Sequence, residues 1–421
     1  MRALIVCPNK YVNDRDKINS NSSRAKEFIN LSQAIDSISV ASVFHLNIVK
    51  VIAGTFFGKG KIAEFKIEID NFHVELLLVD TNLSPMQQRN LEKLLFVKVL
   101  DRTGLILEIF GNRAQTREGV LQVDLAHLEY QKTRLVRSWT HLERQRGGIG
   151  FMGGPGEKQI ESDRRSINEK IFRIKKLLDK VIKMRRLHRT RRKKQNIPVV
   201  ALVGYTNSGK SSIFNHITQS KVVAKNMLFA TLDPKLSVFK LLGVDRIILL
   251  DTVGFISDLP TDLISAFKAT LEEVVNSNLI LHVRDISHEN TKQQALDVHD
   301  TLERLEWGDR IRPPIIEVYN KIDNLIDSDF TKVKSQCANS QNIVLMSATE
   351  KKGFDYLFRQ IKRVLSAGKA FEEVFISFSD ARRRAWLFEK KIVIFEKIVK
   401  DGFLIKVHWS NAQKIQFLDC A

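Results

Sequence analysis

The sequence predicts a multidomain α/β protein: an N-terminal α/β domain, an antiparallel helical hairpin, a phosphate-loop domain on parallel strands and a small C-terminal α/β domain. Three observations predict it. Residues 1–105 alternate strand-like and helix-like segments. Two apolar seams at near-heptad spacing, one from Leu121 and one ending at Val181, flank a glycine-rich stretch. The apolar run Val199-Val200-Ala201-Leu202-Val203 leads into Gly204-Tyr205-Thr206-Asn207-Ser208-Gly209-Lys210-Ser211 and a helix-like segment to Thr218. That order of strand, glycine loop and helix is the setting of a phosphate site. A chain of 421 residues that is 43% hydrophobic has room for two to four such cores.

The first domain, 1–105, reads as strand 2–7, helix near 22–36, strand near 46–53, helix near 59–69, strand 74–80, helix 85–95 and strand 97–100. Met1-Arg2-Ala3-Leu4-Ile5-Val6-Cys7-Pro8 is a first strand rather than a signal peptide. His45, Asn47 and Lys50 interrupt the apolar stretch 39–58, which therefore does not span a bilayer. Gly58-Lys59-Gly60-Lys61 reads as a turn opening a helix, not as a second phosphate loop. The three cysteines, Cys7, Cys337 and Cys420, are widely spaced and odd in number, so reduced thiols and a cytoplasmic location are expected.

The hairpin is assigned to 106–196. Leu121, Leu125, Leu128, Leu135, Trp139 and Leu142 form one seam; Ile160, Ile167, Ile171, Ile174, Leu178 and Val181 form the other. Between them lies a tip, Arg146-Gly147-Gly148-Ile149-Gly150-Phe151-Met152-Gly153-Gly154-Pro155-Gly156, flanked by Arg144. From Glu157 to Lys194 there are sixteen Lys/Arg against five Asp/Glu, a net +11 within a chain of net +19. Such a concentration is the footprint of a polyanion. A solvated helix face is the competing reading, and the imbalance weighs against it. Arg144, Arg146, Arg191, Arg192, Lys193 and Lys194 are candidate RNA phosphate contacts, and Phe151 a candidate for stacking on unpaired bases. Few aromatics lie among the charges, which argues against an interfacial membrane helix.

The third domain, 197–366, carries four nucleotide motifs in order, each after an apolar strand. Backbone N–H groups of residues 204–209 are expected to face phosphate oxygens, Lys210 to reach the β/γ-phosphates, and the Ser211 hydroxyl to ligate Mg²⁺. Asp251-Thr252-Val253-Gly254 supplies a carboxylate near a Mg²⁺-bound water and a glycine N–H for the γ-phosphate. Asn320-Lys321-Ile322-Asp323 carries an Asp that accepts from guanine N1–H and N2–H, which selects GTP over ATP. Ser347-Ala348-Thr349 offers backbone donors to guanine O6. Each tetrapeptide is weak alone; together, at the carboxyl ends of parallel strands, they specify a Ras-like P-loop GTPase domain binding GTP and GDP.

Beyond these motifs, the chain resembles the HflX family of ribosome-associated GTPases, within the Obg–HflX group. The specific pieces are Phe229-Ala230-Thr231-Leu232-Asp233-Pro234, Asp251-Thr252-Val253-Gly254-Phe255-Ile256, Leu259-Pro260 and Ala266-Phe267-Lys268-Ala269-Thr270-Leu271-Glu272-Glu273. In the first two domains they are Leu83-Ser84-Pro85 with Gln87-Gln88-Arg89-Asn90-Leu91-Glu92, Asp101-Arg102-Thr103-Gly104-Leu105-Ile106-Leu107 and Gly153-Gly154-Pro155-Gly156-Glu157. The sequence departs from the family at Lys158, Lys235, Ser237 and Asn278, none of them an expected nucleotide contact. The resemblance implies contact between the hairpin tip and rRNA of the large ribosomal subunit, and rescue or splitting of stalled ribosomes under stress. It also implies a switch in which Thr231 joins Ser211 on Mg²⁺ and Gly254 senses the γ-phosphate. A nucleotide-regulated RNA-binding or hibernation factor is the alternative. A monomer is expected.

Two questions stay open. Many GTPases place a Gln after the D-x-x-G glycine to orient the attacking water; here that residue is Phe255. Either it retracts, or a partner supplies the missing group, or hydrolysis is slow by design. Asn207 stands where potassium-dependent GTPases carry an Asn that helps hold K⁺; a purely structural Asn is the other reading. The last domain, 367–421, begins after a linker at Ala367-Gly368-Lys369 and holds Val374-Phe375-Ile376-Ser377-Phe378, an Arg-rich helix start and two further strands, with no role assigned.

Overall fold

The structure, a computed structural model, describes residues 1–10, 15–144, 155–195, 197–220, 228–229, 234–241, 244–257, 271–305, 307, 312–337, 340–366, 369–390 and 392–418. The first unit runs β1 (Arg2–Lys10), α1 (Arg15–Ser32), β2 (Ser39–Ile48), α2 (Lys59–Phe72), β3 (Leu76–Val79), α3 (Pro85–Leu95), β4 (Lys98–Asp101) and α4 (Arg102–Arg113). Its strands are parallel, in the order β2-β1-β3-β4. All four residues of β3 are buried, as a strand covered on both faces requires. Strand β2 lies earlier than the expected 46–53. It pairs with β1 along its whole length, from Arg2 against Ser39 to Lys10 against Ile48, and leaves the sheet before the exposed Val49.

Two sequence motifs in this unit are helix starts. Ser84 and Gln87 form a reciprocal capping box with Pro85 in the first turn of α3. Asp101 caps α4 by accepting from Gly104 N–H at 2.8 Å. The same carboxylate accepts from Tyr130 Oη at 2.7 Å and from Arg134 at 2.8 Å, which ties the hairpin to the sheet. A Cβ on Gly104 would sit 2.8 Å from Tyr130 Oη, so a larger residue there would displace the tyrosine hydroxyl from this contact.

The hairpin arms are α5 (Arg117–Arg144) and α6 (Pro155–Lys194), shorter than the expected 106–196 because α4 belongs to the layer unit. Ile171 and Leu178, one heptad apart, are the buried seam residues of α6, with Ile167, Ile174 and Val181 half-buried beside them. Lys175 pairs with Glu129 at 3.0 Å and Arg185 with Glu118 at 2.5 Å across the arms. At 1.5 Å per residue, α6 is about 60 Å long. The tip at 145–154, with Arg146 and Phe151, lies outside the described residues, as do the side chains of Arg144, Lys193 and Lys194.

The next unit holds β5 (Val199–Val203), α7 (Lys210–Thr218), β6 (Lys235–Leu241), β7 (Val244–Asp251), β8 (Leu279–Asp285), α8 (Thr291–Glu303), β9 (Ile315–Asn320), a 3₁₀ turn (Ile322–Asn324), α9 (Asp327–Cys337), β10 (Ile343–Leu345) and α10 (Phe354–Ser366). The sheet order is β10-β9-β8-β5-β7-β6, with β6 running antiparallel to β7 at the edge. Asn278 closes its lower end, where its Oδ1 accepts from Val199 N–H at 2.8 Å. The chain ends in β11 (Lys369–Ser377), α11 (Ala381–Glu389), β12 (Val393–Val399), β13 (Gly402–Ser410) and α12 (Asn411–Leu418), an antiparallel sheet ordered β11-β13-β12 around Ile376, Leu387, Ile405 and Trp409. Among the described residues no helix is long and apolar enough to cross a membrane.

One apolar core is shared between units. Phe28, Leu105 and Phe110 of the first sheet's helices pack in the same cluster as Tyr205, Phe229, Val253, Phe255 and Ile256. The layer unit therefore sits directly against the phosphate-loop end of the second sheet.

Candidate nucleotide site and its wiring to the N-terminal unit

The loop between β5 and α7 depends on two glycines with positive φ. Gly204 has φ 150° and Gly209 φ 98°; a Cβ on either would lie 2.1 Å from Val283 O or Asn320 Nδ2. Gly209 also caps α7, whose first residues are Lys210 and Ser211. Lys210 is buried, and its ammonium donates to the carbonyls of Gly204 at 3.0 Å and Tyr205 at 2.7 Å. Burial pushes its pKa down to about 8, against the pull of Asp251. A bound triphosphate supplies the negative charge that this desolvated ammonium needs. Ser211 Oγ donates to Asp251 Oδ2 at 2.8 Å. A hydroxyl beside a fully buried carboxylate is a pair of hard oxygen donors, a set that fits Mg²⁺. Thr231, the second expected ligand, lies outside the described residues, together with Ala230, Leu232 and Asp233; Phe229 is buried just before them.

The segment after β7 is zipped to the phosphate loop. Thr206 N–H donates to Phe255 O at 2.8 Å, and Phe255 N–H to Gly204 O at 3.1 Å. A Cβ on Gly254 would meet Thr206 at 2.7 Å, which fixes glycine there. Thr252 Oγ1 donates to Leu202 O at 2.6 Å, and Val253 is buried. Phe255 is 6% exposed, and its ring packs in the shared core. Asn207, with φ 60°, is exposed at the loop's crest.

The candidate base-binding end is assembled around Asn320. Its Nδ2 donates to Ser208 O at 2.9 Å, and its Oδ1 accepts from Ala348 N–H at 3.0 Å. Lys321, with φ 64°, pairs with Asp285 at 2.7 Å. Asp323 is exposed in the 3₁₀ turn begun by Ile322, with none of that turn's residues buried, so its carboxylate is open to a ligand. Ser347 N–H donates to Lys352 O at 3.1 Å. Ser347 and Ala348 thus have their backbone N–H groups engaged inside the protein, Ser347 on Lys352 and Ala348 on Asn320; Thr349 is exposed beside them.

A second set of contacts had no counterpart in the sequence motifs. Glu27 of α1 accepts hydrogen bonds from Tyr205 Oη, from Ser257 Oγ at 3.0 Å and from the Arg102 guanidinium. Arg102 also donates to Ser257 O at 3.1 Å and to Asp80 at 2.7 Å. Burial alone would favour a neutral guanidine, but Glu27 and Asp80 hold Arg102 firmly charged. Burial and Glu27 push the Tyr205 phenol up, so it stays a donor. The one sequence signal nearby was the Asp101-Arg102-Thr103-Gly104 motif, which carries no role by itself.

The candidate RNA residues divide. Arg191 is exposed on α6, but Arg192 donates to Glu273 at 2.8 Å beside Arg189, which reaches the same carboxylate at 3.0 Å. Arg192 therefore joins the hairpin to the nucleotide domain and is not part of an open basic face.

The family models that match are described as GTP-binding GTPase N-terminal (residues 22–111), GTP-binding GTPase middle region (113–192) and 50S ribosome-binding GTPase (199–321). GTPase HflX of Magnetococcus marinus is 45% identical over 363 residues, covering 86% of this chain and 81% of that protein. GTPase HflX of Escherichia coli is 43% identical over 347 residues, covering 82% and 80%. A GTP-binding protein from Sulfolobus solfataricus, solved in complex with GDP, overlays with TM-score 0.44 at 22% identity over 87% of this chain and 98% of that one. With the phosphate loop and the D-x-x-G and N-K-x-D segments in place, the chain belongs to the HflX family of GTPases and hydrolyses GTP.

Proposed function

We propose that this GTPase binds the large ribosomal subunit in a nucleotide-dependent manner and acts in the rescue or splitting of stalled ribosomes under stress. The observation that carries the reading is the charge of α6. Lys176, Lys180, Lys183 and Arg191 are exposed and recur at spacings that keep them on one side of the helix. The buried Ile171 and Leu178 lie on the opposite side, against α5. A long helix that buries one face and presents lysine and arginine on the other suits a phosphate-rich partner. The family model described as a 50S ribosome-binding GTPase supports the choice of subunit.

In this reading Ser211 and Thr231 would hold Mg²⁺, which would supply neutralisation of phosphate charge. Lys210 orients the β/γ-phosphates, Gly254 N–H meets the γ-phosphate, and the buried Phe255 leaves the attacking water to be positioned by another group. Asn207 is the proposed K⁺ contact, checked by comparing turnover in K⁺ and Na⁺ buffers. The protein acts as a monomer in the cytoplasm.

Cosedimentation with 50S and 30S particles tests the proposal. Binding to 50S with a non-hydrolysable GTP analogue, weaker binding with GDP, and turnover stimulated by 50S are expected. Equal binding with either nucleotide, without stimulation, favours an RNA-binding hibernation factor.

A further inference from the structure

We propose that Glu27 and Arg102 are positioning residues for GTP hydrolysis: through Tyr205 and Ser257 they hold the segment after Gly254 against the phosphate loop and make docking of the N-terminal unit depend on nucleotide state.

Ser257 lies three residues beyond Gly254, the glycine whose N–H meets the γ-phosphate. All three of its polar groups are engaged by this cluster. Its N–H donates to Tyr205 Oη at 2.6 Å, its carbonyl accepts from Arg102 at 3.1 Å, and its hydroxyl donates to Glu27 at 3.0 Å. Tyr205 is the second residue of the phosphate loop, and its phenol donates in turn to Glu27. One carboxylate from α1 thus joins two nucleotide-responsive segments that are separate in the chain. Any movement of Gly254 toward or away from a γ-phosphate pulls on Ser257 and therefore on α1 and α4.

The energetics favour a two-position device over an elastic one. The Arg102 and Glu27 side chains are 2% and 13% exposed, and Asp80, the second partner of Arg102, is also buried. Removing one partner from such a set leaves a charge uncompensated in a poorly solvated place. The set is stable closed, or opened as a whole to water, and intermediate positions are costly. Arg24 adds to it by donating to Asp80 at 3.1 Å. A second contact works in parallel. The Phe110 ring on α4 meets Phe229 edge-on at 4.7 Å, two residues before Thr231. The N-terminal unit therefore touches the neighbours of both segments expected to move with the γ-phosphate, and its docking energy is shared with them.

The competing explanation is an interdomain joint with no influence on turnover. A double-mutant cycle in the full chain, with Glu27→Ala, Tyr205→Phe and the pair, separates the two. Each single variant is expected to lower kcat for intrinsic hydrolysis by about fivefold while GDP affinity moves by less than about twofold. The pair is expected to be no slower than the worse single variant, because both changes break one linkage. Additive losses, or unchanged kcat with a lowered melting temperature, would overturn the proposal. Should Glu27→Ala fail to fold, Tyr205→Phe and Ser257→Ala each delete one hydroxyl and carry the same test. Hydrogen exchange in α1 supplies a readout that a passive joint does not move. Protection is expected to differ between GDP and a non-hydrolysable GTP analogue in the wild type, and this difference should shrink in Tyr205→Phe. Identical protection with both nucleotides in the wild type would also overturn it.

Discussion

Asn320 donates from Nδ2 to the carbonyl of Ser208 across 2.9 Å, so a single buried amide joins the end of β9 to the phosphate loop. Its Oδ1 is engaged at the same time by Ala348 N–H. Asn320→Ala would leave two backbone groups without partners, at a cost of about 1–3 kcal/mol each. GDP and GTP should weaken together by at least about tenfold, and the melting temperature should fall. Nucleotide titrations with thermal melts check this; a weakening confined to GTP would place the role of Asn320 elsewhere.

Asp323 behaves differently because it lies on the 3₁₀ turn, where no residue is fully buried. Asp323→Asn should not change the melting temperature measurably. It should weaken GTP and improve xanthosine triphosphate, because the amide donates to the xanthine 2-oxo group where the carboxylate accepted from guanine. Competition binding with the two nucleotides reads the exchange directly, and unchanged affinities for both would remove Asp323 from the base.

These two residues also mark what was legible in the sequence. Asp323 and Asn320 belong to one contiguous motif after an apolar strand, and both the strand β9 and the turn formed where the pattern put them. Glu27 was invisible for the opposite reason. It is one acidic residue on a helix, and its meaning comes from Tyr205, 178 residues away, and Ser257, 230 residues away. Periodicity reports which face of an element is buried, but not which charged side chain another unit will approach. Strand β2 was displaced for a related reason: its start is set by the length of its partner β1, which local composition does not encode. Arg192 shows the same limit in a charged run, since Arg191 and Arg192 read alike and only packing puts Glu273 beside the second.

A pH dependence follows from His282 on β8. Its Nδ1 lies 2.8 Å from Glu317 Oε1, while His299 approaches the same oxygen at 3.4 Å and Arg284 the other at 3.5 Å. Burial pushes the His282 pKa below its ordinary 6.5, although Glu317 opposes this. Burial pushes Glu317 up, but the hydrogen bond and charge of His282, then Arg284 and His299, hold it below its ordinary 4.5. Below about pH 6.5 the unfolded chain binds a proton at His282 that the folded one resists, so this contribution is complete above that pH and declines as acid is added. The carboxylate contribution acts in the same direction at lower pH, being present above 4.5 and lost through the folded value. Melting temperature should therefore fall between about pH 7 and about pH 5, and His282→Gln, which keeps a donor for Glu317, should flatten that fall. Parallel declines in wild type and variant would show that His282 is not the titrating group.

The two arginines at the end of α6 give the last prediction, because neighbouring residues should fail in different assays. Arg192 is engaged by Glu273 at 2.8 Å, and that carboxylate is buried. Arg192→Gln should lower the melting temperature and leave the salt dependence of subunit binding almost unchanged. Arg191 is exposed, on the same side of the helix as Lys180 and Lys183. Changing Lys180, Lys183 and Arg191 together to Gln should leave the melting temperature in place, since none of them is buried. Affinity for 50S particles should fall, and the slope of log affinity against log salt should shrink by about 0.7–0.9 for each phosphate that the variant no longer neutralises. Cosedimentation over a salt series measures both quantities on the same samples. An unchanged slope in the triple variant would move the polyanion footprint off this face of α6, and a lowered slope in Arg192→Gln would show that the Glu273 pair opens when the protein meets its partner.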